Sequence, residues 1–244
     1  MKLLAIETSA VSVSAAVVED GRLIASAYQN TALTHSRTLM PMVDAMLQTA
    51  ELRLADMDCF AVAAGPGSFT GLRIGISAVK GLAWALEKPC LAVSTLEAMA
   101  YSLRHMDCTI VCAMDARRQQ IYNALFRAGG GTLTRLCGDR AIALSDLCAE
   151  LCDTKDALIV VGDGAKLCAD YLAENGIPCT LAPPHLVMQS AAGVAMAGEE
   201  LAKLGAFVTA QELAPVYLRL SQAERERLAR QKEAESENTK REGE

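Results

Sequence analysis

Residues 59–86 read CFAVAAGPGSFTGLRIGISAVKGLAWAL. Residues 59–64 form a short apolar run, the mark of a strand covered on both faces. Gly65-Pro66-Gly67 breaks it, because glycine admits close backbone approach and proline has no N–H to offer a sheet. From Thr70 onward, Leu72, Ile76, Val79 and Ala83 return at helical spacing until Lys88-Pro89 stops the run. A buried strand, a glycine turn and an amphipathic helix make one step of an α/β layer.

The pattern extends both ways. Upstream, residues 3–8, 11–18 and 22–29 read as three strands, with Asp20-Gly21 as a hairpin turn. Residues 36–54 read as a helix with Leu39, Val43, Met46 and Ala50 on one face and Pro41 in its first turns. Downstream, residues 90–93 are a strand, and Ser94-Thr95-Leu96-Glu97 has the capping-box pattern that opens a third helix. The order βββαβαβα then returns. Strands fall at 109–114, 120–126, 132–137, 157–161 and 178–181, and helices at 145–152, 165–174 and 189–204. Two such halves predict a duplicated α/β unit with lobes at 1–105 and 106–220 and a cleft between them. Residues 221–244 are nearly free of apolar side chains and read as a charged, disordered tail.

The chain has 244 residues, 52% of them apolar and 21% charged, enough to build a substantial core. A net charge of −6 and only 4% aromatics argue against a nucleic-acid surface of its own. No apolar window reaches membrane-spanning length. Glu7 interrupts the apolar start, so it reads as a strand rather than a signal peptide, and a cytoplasmic protein is expected. The nine cysteines include no CxxC pair and read as small buried residues in a reducing compartment.

Three stretches are candidates for chemistry. The first is the hairpin Glu7-Thr8-Ser9, whose acid and hydroxyls could cradle a phosphate or hold a metal through water. Its glutamate is longer than the aspartate usual in such hairpins, and an ordinary sheet edge explains it equally well. The second is Gly65-Pro66-Gly67-Ser68-Phe69-Thr70-Gly71, with Arg73 in the next turn. A helix N-terminus there is a candidate anion site, and tight strand-to-helix packing is the alternative. It is neither a Walker loop nor a nucleophile elbow. The third is Gly162-Asp163-Gly164, a turn facing the cleft, where Asp163 opposes a phosphate. Asp115-Ala116-Arg117 reads first as a strand-end salt bridge. His35, His105 and His185 are isolated from one another, so neither metal binding nor Ser-His catalysis has a visible basis.

The two helices of the first half carry apolar residues on more than one side. Leu39, Met40, Val43, Met46 and Leu47, with Leu72, Ile76, Val79 and Ala83, are candidates for a helix-pair interface with another subunit. A helix pair enclosed by its own fold is the competing reading.

Taken in order, these residues resemble a known family. The segments 4–9 (LAIETS), 35–41 (HSRTLMP), 64–75 (AGPGSFTGLRIG), 94–97 (STLE), 115–117 (DAR) and 215–219 (PVYLR) are similar to the bacterial TsaB (YeaZ) family. The central block is the specific one. The resemblance implies the actin-like ATPase fold, of the ribonuclease H-like class, with two duplicated lobes. It implies a non-catalytic partner of the TsaD-type enzyme, which forms the threonylcarbamoyl group on adenosine 37 of tRNAs reading codons that begin with adenine. A TsaE-type ATPase would join the complex, and tRNA would be reached only through it. The two helices would carry the contact with the TsaD-type subunit, with a homodimer through the same helices when the chain is alone. Glu7, Thr8, Ser9, Asp115, Gly162 and Gly164 would be a vestigial nucleotide cleft, with ATP or ADP only at the complex interface and no metal. TsaD-type chains carry a His-x-x-x-His metal motif where this chain has Thr95 and Met99, neither of which supplies an imidazole. A stand-alone ATPase or kinase, and a metallopeptidase, are the rival readings.

Overall fold

A computed structural model describes residues 1–31, 33–117 and 119–219. The tail 221–244 lies outside the described residues. The first sheet contains β1 (Lys2–Glu7), β2 (Val13–Glu19), β3 (Arg22–Gln29), β4 (Cys59–Gly65) and β5 (Cys90–Ser94). Their order is β3-β2-β1-β4-β5, with β1–β2 and β2–β3 antiparallel and β1–β4 and β4–β5 parallel. The second sheet contains β6 (Cys108–Asp115), β7 (Gln120–Gly129), β8 (Thr132–Arg135), β9 (Arg140–Ala143), β10 (Leu158–Val161) and β11 (Thr180–Leu181). Its path, β8-β7-β6-β10-β11, repeats the first order strand for strand, with the same two antiparallel and two parallel pairings. This is the duplicated actin-like ATPase fold that the resemblance implies.

The sequence pattern explains the layers. Every residue of β4 is buried, as its unbroken apolar run requires. Side chains alternate across the first sheet. Leu4, Ile6, Phe60 and Val62 face α1 (His35–Thr49) and α2 (Phe69–Leu86). Leu3, Ala5, Ala61 and Ala63 face α6 (Ala191–Lys203). The second sheet is covered by α4 (Leu144–Leu151) and α5 (Ala165–Glu174) on one face. Its other face meets α3 (Thr95–Tyr101), through Leu96 and Met99 packed with Ile110 and Phe126.

The helices do not respect the expected division at 105/106. α6 belongs to the second half of the chain, yet Ala191, Val194 and Ala195 pack on Leu3, Ala5 and Ala61 of the first sheet. α3 belongs to the first half and completes the core of the second sheet. The strands divide by sequence, and the helices interleave.

Three local departures have physical causes. α1 ends at Thr49, five residues before the expected stop, because Glu51 takes the left-handed conformation (φ 56°) that usually announces itself as glycine. β9 is a strand that the sequence pattern does not reveal. Its four residues are too few for periodicity, and they pair with Gln120–Asn123 of β7. The capping box at α3 is half made. Ser94 Oγ accepts the Glu97 N–H at 3.2 Å, but the Glu97 carboxylate turns to Arg135 at 2.8 Å. The cysteines are all free, and five are buried as expected, but Cys152 is exposed.

The nominated interface residues need a larger correction. Leu39, Val43, Met46 and Leu47 of α1, and Leu72, Ile76, Val79 and Ala83 of α2, are all buried within this chain. Seven of them belong to the core on the helix side of the first sheet, so they hold the fold, although Leu39 and Met46 also line surface grooves. Met40 alone among the nine stands out, with 40% of its surface exposed. Val79→Glu is therefore expected to destabilise the protein by more than about 4 kcal/mol, since it buries an unpaired charge in a packed core. Met40→Glu should melt within about 2 °C of the parent. Thermal unfolding of the two variants checks the assignment, and equal melting temperatures would reject it.

Candidate functional site

The motif segments, far apart in sequence, meet at one joint. Its centre is the turn after β1, residues 8–12. Thr8 Oγ1 donates to the Gly71 carbonyl at 2.8 Å, and Ser68 N–H donates to the Ser9 carbonyl at 2.7 Å. His35 Nε2 lies 2.7 Å from the Ala10 carbonyl, which ties the start of α1 to the same turn. Glycine is required where α2 meets the turn. A Cβ on Gly67 would sit 2.6 Å from the Ser9 carbonyl oxygen, and one on Gly71 would overlap the Thr8 carbonyl.

This geometry carries the packing reading of the glycine stretch, because Gly67 and Gly71 set the start of α2 directly against the Ser9 and Thr8 carbonyls. Ser68 caps the helix, its Oγ accepting the Gly71 N–H at 3.3 Å. Arg73 is committed elsewhere, with its Nε donating to the Tyr217 hydroxyl at 3.0 Å. The candidate anion stretch Gly65, Pro66, Gly67, Ser68, Phe69, Thr70, Gly71 and Arg73 thus forms a packing joint with the turn after β1, with the strap at Tyr217 on its other side.

The segment 213–219 straps the joint from outside. Val216 N–H donates to the Ala64 carbonyl at 2.7 Å, and a Cβ on Gly65 would overlap the Val216 carbonyl. Tyr217 stacks on Phe69 with ring centroids 4.2 Å apart. Arg219 Nη1 donates to the Ala116 carbonyl at 2.5 Å, which carries the strap across to the second lobe. At Asp115-Ala116-Arg117 the expected salt bridge is replaced by a turn, in which the Arg117 backbone N–H donates to Asp115 Oδ1 at 2.7 Å.

Beneath the joint lies the cleft. The Glu7 side chain is fully buried, and its Oε1 accepts the Ser9 N–H at 2.5 Å. Its Oε2 has no protein partner. Burial raises the Glu7 carboxyl to about 7; the Ser9 hydrogen bonds oppose the rise, and the charge of Asp163 adds to it. Asp163 is also pushed up, chiefly by burial, while Gln189 Nε2 donates to its Oδ1 at 2.9 Å. Gln189 is linked to the first lobe, because Ser12 Oγ donates to its carbonyl at 3.1 Å. The structure thus brings Glu7, Ser9 and Asp163 together, with Asp115 beside them. Gly162 packs against the Ala113 carbonyl and Gly164 against the Asp115 backbone. Thr95 and Met99 are buried. Among the described residues no three His, Cys, Asp or Glu side chains are grouped to share a metal ion. No helix among them is long and apolar enough to cross a membrane.

Between α1 and α2 lies a groove of about 500 Å³, lined by Leu39 and Met40 of α1 and by Thr70, Arg73, Ile74 and Ser77 of α2. Ile74 is one of the apolar residues off the Leu72-Ile76-Val79 stripe that make α2 two-sided, whereas nothing local in the sequence points to the interlobe contacts. Ser94 Oγ donates to Asp139 at 2.6 Å, and Arg135 bridges Asp139 and Glu97.

The family model described as TsaD, tRNA N6-adenosine threonylcarbamoyltransferase, matches residues 28–231. The tRNA threonylcarbamoyladenosine biosynthesis protein TsaB of Bacillus subtilis is 34% identical over 239 residues, covering 95% of this chain and 100% of that one. The chain belongs to the TsaB family. The TsaB protein of Escherichia coli is 29% identical over 90% of this chain and 95% of its own length. A solved structure from Pseudomonas aeruginosa, described as similar to the peptidase YeaZ, is 28% identical with a TM-score of 0.76. It covers 89% of this chain and 99% of that one.

Two predictions follow from the joint and the cleft of this TsaB-family chain. Gly71→Ala should cost more than about 2 kcal/mol, because neither backbone can yield. Gly81→Ala, in the same helix with nothing within 4 Å, should instead add about 0.5–1 kcal/mol. Denaturant unfolding of both variants separates packing from helix propensity. For Glu7, the folded pKa lies above the unfolded one, so its ionised form weakens the fold. The penalty grows as pH rises from about 4.5 to about 7, reaches about 3 kcal/mol and then stays level. Glu7→Gln is expected to gain stability over the parent at pH 8, with the gain shrinking toward pH 5. A difference independent of pH would show that Glu7 is not held in this state.

Proposed function

We propose that this chain is the non-catalytic partner subunit of a TsaD-type enzyme in tRNA threonylcarbamoyladenosine formation. Its role is to bind the catalytic subunit and hold it in its working state. The observation that carries the reading is the two-sided character of α1 and α2. Their inner faces are consumed by the first sheet, while the outer groove presents Met40 and Ile74 to solvent between polar flanks. An apolar groove rimmed by polar residues on a rigid helix pair suits a subunit interface. The non-catalytic part of the reading is supported by Glu7, whose carboxylate turns onto its own hairpin, and by Gly162 and Gly164, which pack against the backbone of β6.

In this reading a TsaE-type ATPase joins the complex in the cytoplasm, and ATP or ADP binds only where subunits meet. The catalytic subunit supplies the phosphate contacts to tRNA, since a chain of charge −6 has little to offer them. Alone, the chain pairs with a second copy through the same groove. Met40→Glu and Ser77→Arg place charges in the groove on exposed positions. Each is expected to weaken co-purification with the TsaD-type protein of the same cell by tenfold or more, about 1.4 kcal/mol, and to lower tRNA modification in a reconstituted assay. Normal binding by both variants would move the interface elsewhere. ATP turnover by the isolated chain would overturn the non-catalytic reading.

A further inference from the structure

An open sheet ends in strands whose outer N–H and C=O groups need cover. In the first sheet, β5 has it. Cys90 and Val208 exchange backbone hydrogen bonds of 2.8 and 2.9 Å along its outer side. In the second sheet the outer strands are short, four residues in β8 and two in β11. β3 differs from all of these. It is eight residues long and pairs, among the described residues, with β2 alone. From Leu23 to Gln29 it carries no charge and no proline, the usual devices that keep a foreign strand from adding to an edge.

Beside this edge lies a groove of about 790 Å³. One wall is the unbroken run 24–29 of β3. The other is a stripe of α1, where Arg37, Pro41, Ala45 and Thr49 recur every fourth residue, with Met42 and Met46 next to them. No residue of α2 lines it, so it is a separate surface from the groove around Met40. The strand wall spans about 17 Å at about 3.3 Å per residue. The helix wall, from Arg37 to Thr49, spans about 18 Å at about 1.5 Å per residue. The two walls therefore match in length and leave room for about five or six extended residues. Ala25 and Ala27 keep the strand side low, and the methionines give the helix side adaptable contacts.

Two polar groups mark one end of the groove. β3 runs out at Gln29 and α1 starts at His35, so Gln29 and Arg37 share that end. Gln29 Oε1 is buried without a hydrogen-bond partner. Arg37 is exposed and is the one charged residue that lines the groove. The Gln29 oxygen lacks a donor and the guanidinium lacks a carboxylate. A backbone N–H beside an acidic side chain supplies both.

We infer that the β3 edge binds an extended peptide segment of another protein, which adds to the first sheet as a sixth strand. Alternate apolar side chains of the segment enter the groove against α1, and an acidic residue at its end pairs with Arg37. The inference goes beyond the partner reading above and does not depend on it.

The test titrates the full chain into the fluorescein-labelled peptide Asp-Val-Thr-Val-Thr-Val-Asp, acidic at both ends so that either strand direction is served. Fluorescence anisotropy should show saturable binding, weakened at least about tenfold when lysine replaces both aspartates. Arg37→Glu changes an exposed position and should reverse that preference at unchanged melting temperature. Hydrogen exchange should slow at the backbone amides of residues 24–29 in the bound chain. Failure of the aspartate peptide to bind, or equal binding of the aspartate and lysine peptides, overturns the inference. Binding that leaves exchange in β3 unchanged overturns the added strand.

Discussion

The structure depends on one close approach, that of α2 to the turn after β1. Gly67 and Gly71 bring helix backbone against the Ser9 and Thr8 carbonyls, with no side chain between. That contact sets the depth of α2 against the first sheet. The depth in turn decides that Leu72, Ile76 and Val79 reach the core while Thr70, Ser77 and Trp84 stay outside. A methyl group at Gly71 would lift the start of the helix from the sheet. The same motif thus governs a core and a surface. Its glycines serve the packing of this chain rather than the grip on a ligand.

Around this contact the chain makes reinforcements that cross long sequence distances. The strap at 213–219 closes over the joint and reaches the second lobe through Arg219. α6 returns from the second half to cover the first sheet, where Ser14 Oγ accepts the Ala191 N–H at 2.8 Å. Arg135, Asp139, Ser94 and Glu97 join the second sheet to α3. Each tie is modest by itself, and the exposed ion pairs least of all. Together they join the two lobes at several separate points.

How much of this was legible follows from the range of the interactions. Residues 59–86 announced their strand, turn and helix because apolar periodicity and glycine position are local signals. The duplicated order followed from the same signals repeated. In the sequence, what covers α1 and α2 stays open between two readings, because periodicity identifies an apolar stripe without saying which partner covers it. Leu39 and Val79 obey the pattern equally well for a sheet of their own chain or for a second subunit. β9 escaped because four residues carry no period, and the end of α1 because Glu51 stands where glycine is usual. The pairings of His35 with Ala10, Gln189 with Asp163 and Arg219 with Ala116 depend on the assembled fold, and nothing adjacent in sequence points to them.

In the cleft the hairpin after β1 satisfies part of its own backbone. A hairpin of this kind leaves backbone N–H groups directed into the space between lobes, where a ligand would satisfy them. Here the Ser9 N–H is met by Glu7, a residue of the same hairpin, whose longer side chain lets its carboxylate turn back onto the backbone. With Asp163 close by, the pocket repels a further negative group, and Gln189 bridges Asp163 to the first lobe through Ser12. The cost of this arrangement falls on the Glu7 carboxyl, which burial pushes up to about 7.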